Sequence, residues 1–313
     1  MPTRHINLLL LLSTALALEP TTLSDADAAK EYDYIRRKPA CSKRGSESYA
    51  TKTPKLLHQI WWQGEAAIPE VHAPYRATWP TTHPEWKVKL WDEPAIVSLI
   101  NTSFAWFAPT FHALPSKIQK VDAARYAILH AEGGVYADLD VEAFKPLDKL
   151  LMPTGAASTA HLFEEPVTHW TIHDNVISNG LMASPPEHPL MLAILRSIRP
   201  VAAVFASTGS HLVQSALQQC HLEENDEWKK KHPNGVPPCG CYVSHSSGDF
   251  FPIHEAMRQP QEFKSVREHV EAAHNFVEDL RHGDWPPESA YTAQHWTGAC
   301  PHARAPRICS APC

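Results

Sequence analysis

A chain of 313 residues with 43% hydrophobic and 20% charged residues has the composition of an ordinary globular protein, long enough for one large domain or two small ones. Its formal net charge of −6 speaks against a nucleic-acid surface, because a phosphate-tracking face is usually basic. The 28 prolines against 12 glycines predict a loop-rich chain with fixed turns.

At the N-terminus, Arg4 precedes an apolar run over residues 6–18 that is broken only by Asn7, Ser13 and Thr14. The run falls short of the roughly 20 residues a membrane span needs. It closes on Ala15-Leu16-Ala17, a small-residue cleavage pattern, and so reads as a signal peptide over residues 1–18. A short signal anchor, which would hold the protein on a membrane through its N-terminus, is the alternative; either delivers the chain to the secretory pathway. Residues 19–50 are polar, without a sustained period, and read as a stem. The folded domain is expected over 51–313 and ends in a cysteine-rich tail. Cys41 stands alone upstream of Cys220, Cys239, Cys241, Cys300, Cys309 and Cys313, a set that reads as disulfides of an oxidising compartment. The spacing Cys239-Gly240-Cys241 is not that of a zinc knuckle.

Within the domain, "KLLHQIWW" (55–62) is a short apolar run and predicts a buried strand. "EWKVKLWDE" (85–93) alternates apolar and charged residues, the pattern of a half-buried strand. "EPAIVSLINTSF" (93–104) predicts a helix with Pro94 in its first turn. In "SKIQKVDAARYAILHAEGG" (116–134), Ser116 can cap a helix whose apolar face carries Ile118, Val121, Ala124, Ile128 and Leu129. Gly133 or Gly134 would end it, and "VYADLDV" begins a strand at once. "NVISNGLMAS" (175–184) predicts another strand, while "HPLMLAILRSI" (188–198) and "HLVQSALQQC" (211–220) predict helices. The mixed-charge segment 221–250 reads as a surface insertion. Strands alternating with helices imply an α/β domain with a mostly parallel sheet.

In such sheets ligands bind beyond the carboxyl ends of the strands. Asp138 and Asp140 stand near such an end, two residues apart, so strand alternation would put both carboxylates on one face. Like charges that close repel unless a cation lies between them. Mg²⁺ or Mn²⁺ prefers carboxylate oxygens and completes its shell with substrate phosphates, so a metal holding a diphosphate would account for the pair. The pattern alone means little, since Asp25-Ala26-Asp27 repeats it in the stem, and a solvated pair on an edge strand is the plain alternative. On the preceding helix, Asp122 and Arg125 are either an exposed ion pair or a pair turned to a pocket, where they would bond sugar hydroxyls. In the second case Arg125→Lys should cut turnover while melting stays nearly unchanged.

The ordered blocks "PKLLHQIWW", "HPEWKVKLWDE", "KVDAARYAILHAEGGVYADLDVEAFKPLD", "NGLMASPPEHPLM", "STGSHL" and "AQHWTG" resemble the family 32 glycosyltransferases. These are D-x-D sugar transferases related to fungal initiating mannosyltransferases and inositol phosphoceramide mannosyltransferases. The resemblance spans about residues 54–298 and implies a GT-A type, Rossmann-like fold. It implies that Asp138 and Asp140 serve the metal and the diphosphate, and that Asp122 and Arg125 contact the donor sugar. Ile60 and Trp61 would line the nucleotide base, Asn179 would stand on the acceptor side, and His295 would close the metal site. Ser210 replaces a frequent proline and Gln294 the first of a frequent histidine pair. Mn²⁺ or Mg²⁺, a nucleotide-sugar donor (GDP-mannose or a UDP-sugar) and a glycan or glycolipid acceptor are the implied ligands, with retention of configuration. The Golgi lumen or membrane is the implied place, with secretion as the alternative. No catalytic base is assigned; Asp174 is a candidate. A catalytically silent carbohydrate-binding protein and a metal-dependent phosphohydrolase are the competing classes.

The signal-peptide reading predicts a mature chain beginning near Leu18. N-terminal sequencing of secreted or Golgi-extracted protein checks this, and an intact Met1 in carbonate-resistant membranes would favour the anchor.

Overall fold

The structure is a computed structural model that describes residues 52–151, 158–166, 175–223, 226–231, 239–245, 250 and 291–294. All lie in one of the chain's two units, Pro39–Cys313, the other being Met1–Lys38. The expected signal segment and stem, Cys41, Cys300, Cys309, Cys313, Asp174 and His295 lie outside the described residues.

The strands are β1 (Leu56–Ile60), β2 (Lys87–Trp91), β3 (Gly134–Ala137), β4 (Val141–Ala143), β5 (Thr159–Pro166), β6 (Asn175–Ser184), β7 (Cys241–His245) and β8 (Thr292–Gln294). Six of them form one sheet in the order β2-β1-β3-β6-β5-β7. Pairs β1/β2, β1/β3 and β5/β7 are parallel, and β6 runs antiparallel to both β3 and β5, so all strands of this sheet but β6 share one direction. The α/β class and the mostly parallel, Rossmann-like sheet expected from the sequence are therefore present.

From β1 the chain passes through α1 (Ala73–Thr82) to β2 on one side. It then returns through α2 (Glu93–Ser103), α3 (Ala108–His112) and α4 (Lys117–Glu132) to β3 on the other side of β1. Right-handed crossovers in opposite directions place their helices on opposite faces. Accordingly Trp79 of α1 packs in the cluster with Leu57, Val135 and Ala137, whereas Tyr126 and Ile128 of α4 pack in the other cluster with Ile60 and Tyr136. The carboxyl ends of β1 and β3 thus border the point where strand order reverses, which is where open α/β sheets bind ligands.

Local chemistry explains the central helix. Ser116 closes a capping box at the start of α4: its Oγ accepts from Gln119 N, and its own N–H donates to Gln119 Oε1 at 3.1 Å. Gly133 caps the other end with φ 64°. A Cβ on Gly133 would come within 2.5 Å of Pro186 N, and one on Gly134 (φ 101°) within 2.4 Å of the Leu56 carbonyl oxygen. Only glycine meets both the backbone and the space there. The expected apolar face holds except at Ile118, which is 44% exposed in the first turn, before the helix enters the core. Residues 122–129 are all buried, so α4 is covered on every side over two turns.

Two expectations are corrected. Asp138 and Asp140 are not on a strand: β3 ends at Ala137, and residues 138–141 form a turn closed by the Val141 N–H donating to the Asp138 carbonyl at 3.1 Å. Strand alternation therefore does not govern the two carboxylates. Leu139, buried between them, anchors the turn in the interior. The segment 221–250 is not all surface insertion. It contributes α8 (Asp226–Lys231) and the sixth sheet strand, β7, which pairs with β5 from Thr159↔Cys241 to Phe163↔His245. Tertiary covalent chemistry outweighs its polar composition, because Cys239 is disulfide-bonded to Cys220 of α7 (Ser210–Glu223) and Cys241 is also disulfide-bonded. The predicted helix over 188–198 is α5 (Pro189–Ser197), followed by the short α6 (Val204–Ser207).

Of the five buried histidines among the described residues, three are held most strongly in neutral form. The Trp91 indole can only donate, and it does so to His58 Nδ1 at 3.0 Å, so His58 Nε2 carries the hydrogen donated to the Gly133 carbonyl at 2.7 Å. His188 repeats this logic, accepting from Leu190 N at Nδ1 and donating from Nε2 to the Cys241 carbonyl at 2.9 Å. His161 shares a 3.0 Å hydrogen bond with His245. Burial pushes His58 and His188 down to about 4 and His161 to about 3, against an ordinary value of 6.5. With folded values below unfolded ones, the unfolded chain takes up protons first as pH falls. Stability is then full above pH 6.5 and is lost between 6.5 and about 4. Unfolding free energies from denaturant melts at pH 7.0 and 4.5 should differ by at least ~2 kcal/mol, and His188→Asn should flatten the profile while lowering stability at pH 7.

Candidate active site

Asp122 sits on α4 one turn from Arg125, and both are buried, with side-chain exposures of 5% and 8%. That excludes the exposed ion pair. Arg125 Nη1 donates to Asp122 Oδ1 at 2.9 Å, and Nη2 donates to Asp138 Oδ1 at 2.9 Å. One guanidinium thus ties the helix to the turn that follows β3. Nη1 also donates to the Asn179 carbonyl at 3.2 Å, and the Asn179 amide donates to Asp122 Oδ1 at 3.1 Å. Asp122 Oδ2 accepts from the Thr208 hydroxyl at 2.9 Å, and the Thr208 carbonyl accepts from the Tyr126 hydroxyl at 2.6 Å. From β3, the buried Tyr136 donates its hydroxyl to Asp138 Oδ1 at 2.6 Å, and the Arg125 guanidinium carbon lies 5.1 Å from its ring centre.

Two carboxylates flank the one guanidinium of this network. Burial works against charge on Arg125, but Asp138, Tyr136 and Asp122 outweigh it and hold the guanidinium charged well above the ordinary arginine range. Burial pushes the Asp122 carboxyl up, while Arg125 and the hydrogen bonds from Thr208 and Asn179 pull it back. Burial also raises the Tyr126 and Tyr136 hydroxyls, which stay protonated as donors. Arg125 Nε is buried without a hydrogen-bond partner, a polar atom the protein leaves unsatisfied beside the network.

Asp138 is about one-fifth exposed, with its side chain at 22%, whereas Asp140, two residues on, is buried. Both carboxylates offer hard oxygen donors, the ligand type of Mg²⁺ and Mn²⁺, and so fit such an ion chemically. Among the described residues there is no group of three or more His, Cys, Asp and Glu side chains placed to hold a metal. β8 pairs antiparallel with β4 and brings Gln294 opposite Val141, beside the aspartate turn. His295, the expected third ligand, is the next residue and lies outside the described ones.

Trp61 follows β1 at the neighbouring strand end. Its backbone N–H donates to the Trp91 carbonyl at 2.9 Å, its indole to the Ala67 carbonyl at 3.0 Å, and its half-buried ring lies 5.5 Å from that of His72. The Ile60 side chain points instead into the core with Trp91 and Ile96. The structure therefore brings Asp122, Arg125, Asn179 and Asp138 together, with Asp140 in the same turn, and places Trp61 across the β1/β3 junction. Sequence reasoning did not single out Tyr126, Tyr136 or Thr208. Thr208 lay in one of the matched blocks, and Tyr136 stands two residues before Asp138, but nothing in the sequence assigns either a partner.

The sequence model of the family described as "Glycosyltransferase sugar-binding region containing DXD motif" matches residues 69–156, which include the turn and most of the network. Inositol phosphoceramide mannosyltransferase 1 of Schizosaccharomyces pombe is 32% identical over 185 residues, 58% of this chain and 50% of that protein. Mannosyl phosphorylinositol ceramide synthase CSH1 of Saccharomyces cerevisiae is 29% identical over 199 residues, 61% of this chain and 48% of that protein. The chain spans about half the length of these curated relatives. Among solved structures, "PaToxG Glycosyltransferase" aligns with a TM-score of 0.43 at 16% identity, covering 86% of this chain and 97% of that one. The resemblance read from the central block thus recurs in family and relatives alike.

Burial changes what an Arg125 substitution should do. Removing one partner of a buried pair costs about 3–5 kcal/mol, because the stranded carboxylates stay behind. Arg125→Met should therefore lower stability by about that much in denaturant melts. Arg125→Lys should also melt lower, since an ammonium cannot reach Asp122, Asp138 and the Asn179 carbonyl together.

Proposed function

We propose that this protein is a metal-dependent glycosyltransferase that moves a hexose, mannose being the first choice, from a nucleotide sugar to a glycolipid or glycan acceptor. The observation that carries this reading is the buried Asp122–Arg125–Asp138 network, which ends in the aspartate turn at the β1/β3 junction. Carboxylates and a guanidinium fixed by a buried helix form a preorganised polar cluster that reaches solvent at Asp138, and groups so fixed bind sugar hydroxyls without reorganising. The family match over residues 69–156 and the names of the relatives support the same class of chemistry. They also favour an enzyme over a silent carbohydrate-binding protein.

In this reading Asp138 and Asp140 hold Mn²⁺ or Mg²⁺ together with His295. When bound, the ion supplies charge neutralisation for the departing diphosphate. Asp122 and Arg125 orient the donor sugar, with Asn179 and Thr208 holding Asp122 in place. Trp61 presents an indole face to the base, a surface suited to stacking. Configuration is retained, and no residue is assigned as a base. The chain works in the lumen of the secretory pathway, with the Golgi as first choice, a placement supported by the Cys220–Cys239 disulfide. No helix of the described residues is long and apolar enough to cross a membrane. Attachment through the N-terminal segment is part of the proposal.

Substituting Asp140→Asn should abolish sugar transfer from GDP-mannose or a UDP-sugar to a glycolipid panel, read by mass spectrometry. It should also remove the rise in melting temperature that Mn²⁺ plus nucleoside diphosphate gives the wild type, since ligand binding raises apparent stability by mass action. Full transfer and an undiminished melting shift in that variant would refute the metal assignment. Release of free phosphate without transfer would point to a phosphohydrolase instead.

A further inference from the structure

On the face of the sheet opposite Arg125, a second set of polar groups borders the aspartate turn. Helix α1 is pinned to the strand that follows the turn: the Trp79 indole donates to the Val141 carbonyl at 2.8 Å, and Ala143 N–H donates to the Thr78 hydroxyl at 2.9 Å. Arg76 lies on this helix, three residues before Trp79 and four after His72, so all three share one side of it. His72 lies within electrostatic reach of both Arg76 and Asp138, and its ring lies against that of Trp61. Gln59 stands at the carboxyl end of β1, on the same sheet face as Leu57 and beside β3, which Asp138 directly follows.

The bonding of Arg76 is unusual. Its Nε donates to Gln59 Oε1 at 3.3 Å, and among the described residues its Nη2 reaches only the exposed Glu65, at 3.5 Å. Gln59 is 1% exposed, and its Nε2 is buried without a hydrogen-bond partner. The amide cannot be turned over to relieve this, because Nε2 would then face the Arg76 N–H donor-to-donor. An unsatisfied buried donor destabilises the folded chain. The guanidinium is thus held by a neutral prop, and its one ion pair among the described residues is the long one to the exposed Glu65. A glutamate of the same shape would have neutralised the guanidinium.

We infer that Arg76, held by Gln59, contacts a phosphate oxygen of a nucleoside diphosphate and does so independently of any metal. The inference rests on the donor reading proposed above. Arg76 is the contacting residue and Gln59 a positioning residue. Their arrangement on the β1 side complements the aspartate turn, so an anionic diphosphate lying across the β1/β3 junction meets a cation at one end and a carboxylate-held ion at the other.

The test is equilibrium binding of GDP, UDP, guanosine and uridine to the full chain, in EDTA and in Mn²⁺. Arg76→Ala should weaken binding of the matching diphosphate at least tenfold in EDTA and leave nucleoside binding unchanged. Because Arg76 is partly exposed, that variant should fold. Gln59→Glu should weaken diphosphate binding similarly without lowering the melting temperature, since it gives Arg76 a partner; a purely structural role would not produce that pair of results. Unchanged diphosphate affinity in Arg76→Ala, or an equal loss for nucleoside and diphosphate, would overturn the inference. If Asp140→Asn loses Mn²⁺-dependent binding while Arg76→Ala binds normally in EDTA, this inference alone falls. If the wild type binds no nucleotide in either condition, the donor reading falls and takes the inference with it.

Discussion

A guanidinium buried to within a few per cent must be neutralised where it lies, and the arrangement around Arg125 follows from that requirement. The charge is met by Asp122 one turn back on the same helix and by Asp138 at the end of the central strand. Each carboxylate then needs its own donors, which come from Asn179, Thr208 and Tyr136. These residues belong to segments far apart in the chain, so the ion network can form only when sheet, central helix and the turn before α7 are all in place. Buried pairs of this kind seldom add net stability over an apolar core. What they provide is one fixed geometry for the acidic groups.

Close packing delivers Asp138 to that geometry. Gly133 and Gly134 let α4 pass directly into β3 where a Cβ would collide with Pro186 or with the Leu56 carbonyl. His58 holds the Gly133 carbonyl from the neighbouring strand, and Trp91 fixes its tautomer. The strand is only four residues long, so a shift of one residue at the diglycine would carry Asp138 past Arg125. The buried histidines make the same framework sensitive to acid, while leaving the charged network itself tied up in mutual bonds.

The two faces of the sheet carry different chemistry to one edge. The α4 face supplies two carboxylates paired with the one guanidinium of Arg125 and bonded among themselves and their neighbours. The α1 face supplies Arg76, held by a neutral amide and only weakly compensated. Opposite crossovers from β1 put these helices on opposite faces, and the reversal of strand order opens the junction between them. The proposed nucleotide-sugar donor would set its hydroxyls against the first of these faces and its diphosphate against the second.

The sequence by itself determined the class of fold and the central block. Helical and strand periods, the Ser116 cap and the diglycine are local signals, and each reports a local energy that the folded chain keeps. It also marked the block that holds Asp122, Arg125, Asp138 and Asp140, the residues on which the proposed function rests. Only the tertiary structure decided that Asp122 and Arg125 are a buried pair, because spacing three apart is the same for exposed and covered helices. It decided that the aspartates occupy a turn, since β3 ends at Ala137 and the Val141 N–H closes back on the Asp138 carbonyl. It recruited β7 into the sheet from a stretch whose composition reads as surface, because pairing with β5 and the Cys220–Cys239 bond are long-range. The bonds that complete the Asp122–Arg125 pair were illegible for the same reason: Asn179 and Thr208 lie 54 and 86 residues from the groups they bind, Arg125 and Asp122, and no periodicity reaches that far.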